Sequence, residues 1–440
     1  MNNTITEVLE FIKENDVKFI RLAFCDIFGT QKNISIMPDE LSRAFEHGIS
    51  FDASSISGFM NVEKSDLFLV PDPVTLSVLP WRPSHGRVVR FFCDIKYPDG
   101  SVFEGDGRNI LKNAVLEAEV LGYKCRIGAE CEFYLFKMDE KGMPVAVPHD
   151  SAGYCDIAPL DKGENVRREI CLTLEEMGIK PESSHHEQGP GQNEVDFKYS
   201  DVLTAADNLV TFKSVVKTVA ARNGLHASFM PKPLANASGS GLHINISLLE
   251  NGLNVFSNRN KEHGAIPEKF IAGVMAKIPE MTAFLNPLTN SYTRFGKFEA
   301  PKYITWSHQN RSQLIRIPAA EGEYCRMELR SPDPSCNPYL AFALVIRAGL
   351  EGINKQMSLV PAFDANLYEA EVDKISGSLS YIPENLGLAI DLARKSTFVQ
   401  RVLPLKTIDK FLSSKLLEWN CYLQAEHKEQ FEKEMYFLTV

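Results

Sequence analysis

The chain has 440 residues, 44% of them hydrophobic and 24% charged, a globular balance that excludes disordered, collagen-like and low-complexity classes. Its 47 basic and 57 acidic side chains leave a net charge of −10, which speaks against a protein built mainly to bind nucleic acid but not against a basic pocket for a small anion. At roughly 100–200 residues per domain the length suggests two to four domains.

The first residues show neither a basic n-region nor an apolar h-region, so no signal peptide is expected. The apolar run 339–346 falls far short of the roughly 20 residues that a membrane span needs, so no membrane partner is expected either. Nine cysteines, odd in number and without a CxxC pair, read as reduced thiols of a cytoplasmic protein.

In chain order, residues 4–14 have helical periodicity, with Ile5, Val8, Leu9 and Ile12 on one face. Lys18–Ile27 reads as a strand and Gln31–Ile36 as its return partner. Asp39 is a candidate N-cap for a helix reaching Glu46. Strand patterns follow at Leu67–Val70, Leu76–Leu79 and Val88–Cys93, then a Pro98–Asp99–Gly100 turn and a helix over Arg108–Leu121. A boundary near residue 103 divides the chain into a small strand-rich domain, 1–103, and a large α+β domain, 104–440. The stretch from Pro383 to Met435 reads as mostly helical.

Four segments of the large domain carry unusual chemistry at the two-residue period of a strand. Glu130 and Glu132 oppose Cys131 and Phe133. Glu194 and Asp196 oppose Val195, Phe197 and Tyr199. His243, Asn245 and Ser247 oppose Leu242, Ile244 and Ile246. Arg326 and Glu328 oppose Cys325 and Met327. One such strand is simply the wet face of an antiparallel sheet. Four together are richer in metal-ligating and anion-holding residues than a solvated face, which favours Lys, Thr and Gln.

The loop 183–194 adds Glu187 across a Gly/Pro turn from Glu194. Glu130, Glu132, Glu187, Glu194 and Glu328 with the single imidazole of His243 form an oxygen-rich set that suits Mg²⁺ or Mn²⁺ better than Zn²⁺. Packed carboxylates repel unless cations intervene. Downstream, Arg294, Arg311, Arg316, Arg326 and Arg330 can hold phosphate or carboxylate groups. Dications beside arginines point to phosphoryl transfer. No P-loop and no kinase glycine loop is present, so a nucleotide would be held by metals and arginines.

Ordered segments along nearly the whole chain resemble the glutamine synthetase family, in its bacterial type I short form without adenylylation control. They are Phe51–Ile56, Gly128–Phe133, His185–Glu187 through Asn193–Glu194, Phe229–Pro233, Gly239–His243, Asn290–Tyr292, Asn310–Ser312 through Pro318, and Glu328–Pro334 with Asn337–Leu340. The resemblance implies a small β-grasp-like N-terminal domain and a large catalytic domain whose curved antiparallel sheet is flanked by helices. It implies ATP-dependent ligation of ammonia to the γ-carboxylate of glutamate, with two Mg²⁺ or Mn²⁺ ions.

Carried over by position, Glu132, Glu187 and Glu194 would hold one ion, and Glu130, His243 and Glu328 the other. Arg311, Arg316 and Arg330 would bind the phosphoryl group and the substrate carboxylate. Arg294 and Gly239 would help hold glutamate, and Tyr199, Ser247, Arg316 and Arg326 would contact the nucleotide. Asp52, with Tyr154, Glu187 and Ser55 around it, would deprotonate ammonium in the site of a neighbouring subunit. Glu299 would sit on a closing flap. The resemblance further implies a dodecamer of two stacked hexamers and a transcription-regulator partner.

Ser238 replaces the usual Asn of the Asn-Gly-Ser-Gly motif, Ala53 replaces a Gly, Asn61 stands where an Arg is common, and the flap 294–299 is one residue short. These departures keep open a ligase that joins glutamate to a larger amine. A non-catalytic ring protein and a two-metal hydrolase are weaker alternatives. His185 and His186 are expected to pack the loop, and Lys232 to be structural.

Overall fold

The computed structural model describes residues 4–82, 85–257, 265–368 and 379–440. Thr4 caps the first helix, α1 (Ile5–Glu14), with a reciprocal Thr4–Glu7 capping box, and α1 buries Val8 and Ile12. Then come β1 (Val17–Cys25), β2 (Gln31–Ile36), α2 (Leu41–His47), β3 (Ile49–Asp52), β4 (Asp66–Pro71), β5 (Ser77–Val78) and β6 (Arg87–Lys96). They form one sheet in the order β2-β1-β6-β4-β3, with β5 on β6. The β1–β6 pair is parallel and the others are antiparallel.

Asp39 is not a helix cap. Pro38 starts a 3₁₀ turn through Glu40, and α2 begins at Leu41 without a side-chain cap. The strand expected over Leu76–Leu79 shrinks to the two residues of β5.

The large domain opens with α3 (Gly107–Val120), capped by Asp106, whose carboxylate accepts the Arg108 N–H at 3.0 Å. It continues through β7 (Tyr123–Met138), β8 (Pro144–Pro148), α4 (Glu164–Glu176), β9 (Pro181–His186), β10 (Gln192–Phe197), β11 (Ser200–Asp201), α5 (Val202–Arg222) and β12 (Leu225–Ser228). Next are β13 (Leu242–Glu250), β14 (Leu253–Asn254), α6 (Ala265–Leu285), β15 (Trp306–His308), β16 (Ile315–Ile317), β17 (Met327–Leu329) and α7 (Pro338–Asn354). The chain ends in α8 (Leu386–Lys395), α9 (Thr397–Val402), α10 (Leu405–Gln424) and α11 (Lys428–Tyr436).

The second sheet runs β15-β16-β17-β13-β7-β10-β9, with β8, β11 and β12 also on β7 and β14 on β13. It is antiparallel except for the β15–β16 pair. The strand expected over Cys325–Leu329 starts only at Met327, which leaves Arg326 just outside the ladder.

One face of this sheet is apolar: Cys131, Phe133, Val195, Leu242, Ile244 and Ile246 are wholly buried. The apolar run 339–346 forms much of α7, and every residue in it is buried, as expected for a helix that is hydrophobic all round. Among the described residues no helix is long and apolar enough to cross a membrane. All nine cysteines are free, five of them buried.

A single apolar cluster runs through both sheets, from Val8 to Leu412. Buried Arg108 stitches the halves with charge, lying 3.2 Å from Asp72, 3.0 Å from Asp94 and 2.8 Å from Asp207. Asn337, which caps α7, donates to the carbonyls of Asp26 and Ile27 in the β1–β2 turn.

Candidate active site

The polar face of β7 sets the site. Pairing with β13 places His243 opposite Glu130, and pairing with β10 places Glu194 opposite Glu132. Farther along the sheet, Glu328 stands opposite Asn245 on one side and Arg316 on the other. Facing residues on paired strands lie about 5 Å apart at Cβ, so the ladder itself gathers four carboxylates, an imidazole and a guanidinium.

The β9–β10 turn brings in the fifth carboxylate. Glu187 N–H donates to Gln192 O and Gln192 N–H to Gly189 O, each at 2.9 Å. Gly191 takes φ +70°, and a Cβ there would meet the Leu135 carbonyl at 2.8 Å, so this tight turn requires glycine.

A cavity of about 790 Å³ opens over this face. Glu130, Glu132, Glu187 and Glu194 line it with His243, and so do Tyr154, Gly239, Arg294, Glu299, Arg311, Arg316, Arg326 and Arg330. His243 Nδ1 lies 3.2 Å from Glu130 and 3.7 Å from Glu328, and its Nε2 is 4.0 Å from Glu132. Glu328 is fully buried behind Arg316 and Arg330, which each take one of its oxygens.

Ligand atoms of Glu130, Glu194 and His243 fall within 4.8 Å of one another, as do those of His185, Glu187 and Glu194. Glu194 therefore belongs to both groups, where the sequence reading put it in one.

The electrostatics fit cations. Burial and the charges of Asp196, Glu132, Glu130 and Glu187 push the Glu194 carboxyl well above the usual range. Burial also raises Glu132, and burial with the Glu130 charge lifts Asp196 to about 6. Burial alone would raise Glu130, but His243, Asn245 and Arg326 hold it at about 2. Carboxylates crowded this way ionise together when divalent ions sit among them, and the oxygen-rich donor set suits Mg²⁺ or Mn²⁺.

A second cavity of about 330 Å³ adjoins the first and shares Glu130, Asp196 and Arg326 with it. Tyr199, Ser247 and Arg326 line it together. Arg316 lines the acidic cavity instead. Arg326 Nε donates to Asn245 Oδ1 at 2.8 Å, and Tyr199 OH donates to Glu323 at 3.0 Å.

The segment 294–299 carries strain. Phe298 and Glu299 both have positive φ, +47° and +65°, rare for side-chain-bearing residues. Glu299 reaches to 3.7 Å from Arg330 and accepts from Gln188 at 3.4 Å. Arg294 is buried, and its guanidinium donates to the carbonyls of Ser331 and Arg330 at 2.8 and 3.1 Å. Gly239 has no room for a side chain: a Cβ would meet the Pro231 carbonyl at 2.5 Å and Arg294 Cγ at 2.9 Å.

Asp52 is the expected residue that does not join this group. It ends β3 in the small sheet, exposed, and does not line the acidic cavity. Its carboxylate accepts from Ser54 N–H, Ser54 Oγ and Ser55 Oγ at 2.9, 2.6 and 2.8 Å. Those donors hold its pKa below the ordinary aspartate value.

Three residues contribute more than the sequence reading assigned. His185 is not a loop-packing residue: it lies in β9, lines the cavity, and its Nε2 is 2.8 Å from Glu187. Gln192 Nε2 donates to Glu132 at 2.9 Å and to Gly239 O at 3.0 Å. Asn245 donates to Glu130 at 2.9 Å while accepting from Arg326. Asn245 stood on the polar face of its strand pattern, but nothing in the sequence tied the neutral Gln192 to a carboxylate sixty positions away. His186 packs as expected, buried against Asp150 at 2.9 Å.

Comparison with known proteins decides the family. A model described as the glutamine synthetase catalytic domain matches residues 104–436, and one for the glutamine synthetase beta-Grasp domain matches residues 16–98. The chain belongs to the glutamine synthetase family.

Among relatives named glutamine synthetase, that of Clostridium saccharobutylicum is 45% identical, over 98% of each chain. That of Methanosarcina mazei is 46% identical over 96% of each, and that of Staphylococcus aureus 42% over 98% of each. A solved GmaS/ADP complex superposes with a TM-score of 0.87 at 29% identity, covering 99% of both chains. The two glutamine synthetase models leave between them residues 99–103, which hold the end of the Pro98–Gly100 turn and the buried Phe103. Of the departures from the family pattern, Ser238 is buried with its carbonyl accepting Tyr134 OH at 2.6 Å, and Asn61 is exposed.

Proposed function

We propose that this chain is a glutamate–ammonia ligase: it joins ammonia to the γ-carboxylate of L-glutamate through γ-glutamyl phosphate, with ATP giving ADP and phosphate. The observation that carries the reading is the shared face of β7, β10 and β13, where a carboxylate-rich set meets an arginine cluster beneath a strained flap. Glu130, Glu132, Glu187, Glu194, His243 and Glu328 would hold two divalent ions. The ions supply charge neutralisation of phosphate and orientation of the reacting groups.

The remaining roles fall to this chain's own residues. Arg311, Arg316 and Arg330 gather the phosphoryl and carboxylate charges. Arg294 and Gly239 shape the glutamate pocket, Arg294 by fixing the carbonyls it holds. Tyr199, Ser247 and Arg326 take the nucleotide. Glu299, on the flap, screens an acyl phosphate from water. Asp52 takes a proton from ammonium, since the ammonium cation is not a nucleophile.

Because Asp52 stands apart from its own chain's cavity, we assign it to the site of a neighbouring subunit. Residues 1–103 then act as the donor domain and 104–440 as the catalytic domain of a homo-oligomer, a dodecamer of two stacked hexamers. A regulatory protein partner and a cytoplasmic location complete the proposal.

The amine-ligase alternative rests on Ser238 and the short flap. Phosphate release from ATP and glutamate, measured with ammonia, methylamine, ethanolamine and putrescine, tests both. Ammonia should give the highest kcat/KM. Turnover with an amine but not with ammonia overturns the reading.

A further inference from the structure

A second cavity system lies away from the acidic site, where the small sheet meets α5, α10 and the chain's last residues. It encloses about 480 Å³ and shares no lining residue with the acidic cavity, a size that suits a small organic ligand. Arg21, Arg90, Lys213, Lys217 and Lys415 line it, and Glu418 is the one acidic side chain among its described lining residues.

The cations are poorly compensated. Arg21 and Arg90 stand directly opposite each other on the parallel strands β1 and β6, a like-charge pairing that destabilises a sheet unless something offsets it. Arg90 is 7% exposed, and its buried Nε has no hydrogen-bond partner. Among the described residues its side chain bonds from Nη1 to Thr211 Oγ1 at 2.8 Å, and its guanidinium lies 3.9 Å over the Phe92 ring.

Asp207, whose charge reaches Arg90, is already held by Arg108 and by Tyr339 OH, at 2.8 and 2.6 Å. Among the described residues, Lys213 and Lys217 donate to backbone carbonyls. Glu418 is shared between Lys415 at 3.0 Å and Tyr436 OH at 2.6 Å. Burial lowers Arg90 to about 10, and burial with the Lys213 charge lowers Lys217 to about 8. Both shifts mark positive charge in want of a counter-ion.

Aromatic rings line the same cavity, and Lys415 Nζ lies 5.4 Å over that of Phe28. Phe28, Trp81 and Phe411 line the cavity, with Phe28 and Phe411 stacked at 5.4 Å. We infer that this cavity is a second ligand site, for a compact organic anion whose phosphate or carboxylate head sits among Arg21, Arg90 and Lys217 and whose flat apolar body lies on Phe28, Trp81 and Phe411. A buried guanidinium with an unpaired Nε gains most from a charged acceptor, and aromatic walls favour a flat body over a bare inorganic ion.

The test uses the full-length assembled protein with saturating Mg²⁺ and ADP, so that the nucleotide site is filled. 1-Naphthyl phosphate, neutral 1-naphthalenemethanol and inorganic phosphate are titrated separately by calorimetry. Naphthyl phosphate should bind at least about tenfold tighter than either of the others, because both head and body are then used. Arg90→Gln and Lys217→Met should each weaken it by about tenfold or more, and Glu418→Gln, which removes the competing charge, should tighten it. Should the buried Arg90 variant fail to assemble, the other two substitutions still carry opposite signs. Equal binding of the neutral alcohol, insensitivity to Lys217→Met, or no binding to the assembled protein overturns the proposal.

Discussion

At the scale of single residues, the site depends on neutral groups that fix its charged ones. Gln192 ties Glu132 to the Gly239 carbonyl through one buried amide. Gln192→Leu leaves the Gly239 carbonyl without that donor and Glu132 with the Gly241 N–H, at 2.9 Å, as its remaining backbone donor, and groups that orient metal-binding side chains typically matter by about 10–100-fold in metal affinity. The Mg²⁺ concentration for half-maximal activity should rise by that order, with thermal stability changed far less. Asp52 offers a pH test. Its three serine donors hold its pKa down, and a general base is active when ionised. Activity is therefore lost as pH falls through that pKa. Replacing Ser54 and Ser55 with alanine removes two donors and raises the pKa, so the acid limb of kcat/KM should move to higher pH. A limb that stays in place, or moves to lower pH, would count against Asp52 as the base.

At the scale of elements, the two-residue alternation made the polar faces of β7, β10 and β13 legible in advance, because a strand cannot hide which side chains share a face. What it could not show was register. Pairing Glu130 with His243 and Glu132 with Glu194 joins strands separated by long stretches of chain, and a slip of one residue would point every ligand into the core. His185 escaped notice because a histidine beside a Gly/Pro turn reads as loop until β9 is paired with β10. Arg108 was legible only as a residue at a helix start, since none of its three carboxylate partners is local. Arg108→Met leaves buried Asp207 without its cation, while part-exposed Asp94 keeps Lys112 at 2.7 Å, a loss of about 3–5 kcal/mol. Urea denaturation should report it as a lower midpoint with an unchanged slope.

At the scale of the whole molecule, the placement of Asp52 outside its own cavity motivates the proposed partner copy. Asp52→Ala and Glu299→Ala variants, each inactive alone, should regain activity when dissociated and reassembled together. In a head-to-tail ring, random mixing completes about a quarter of the interfaces. No recovery in a verified mixed assembly would place Asp52 in its own subunit's chemistry or in none. The apolar cluster shared by both sheets, with Arg108 and Asn337 across the seam, has a mechanical consequence. The small sheet cannot hinge freely against the catalytic one, so heating should melt both in a single calorimetric endotherm. An Asp52 lent to the next subunit then moves as a rigid extension of the sheet that carries Glu130 and Glu132. Each active site would sense the posture of the subunit beside it, and a lesion in the small sheet of one copy would appear as a catalytic defect in its neighbour.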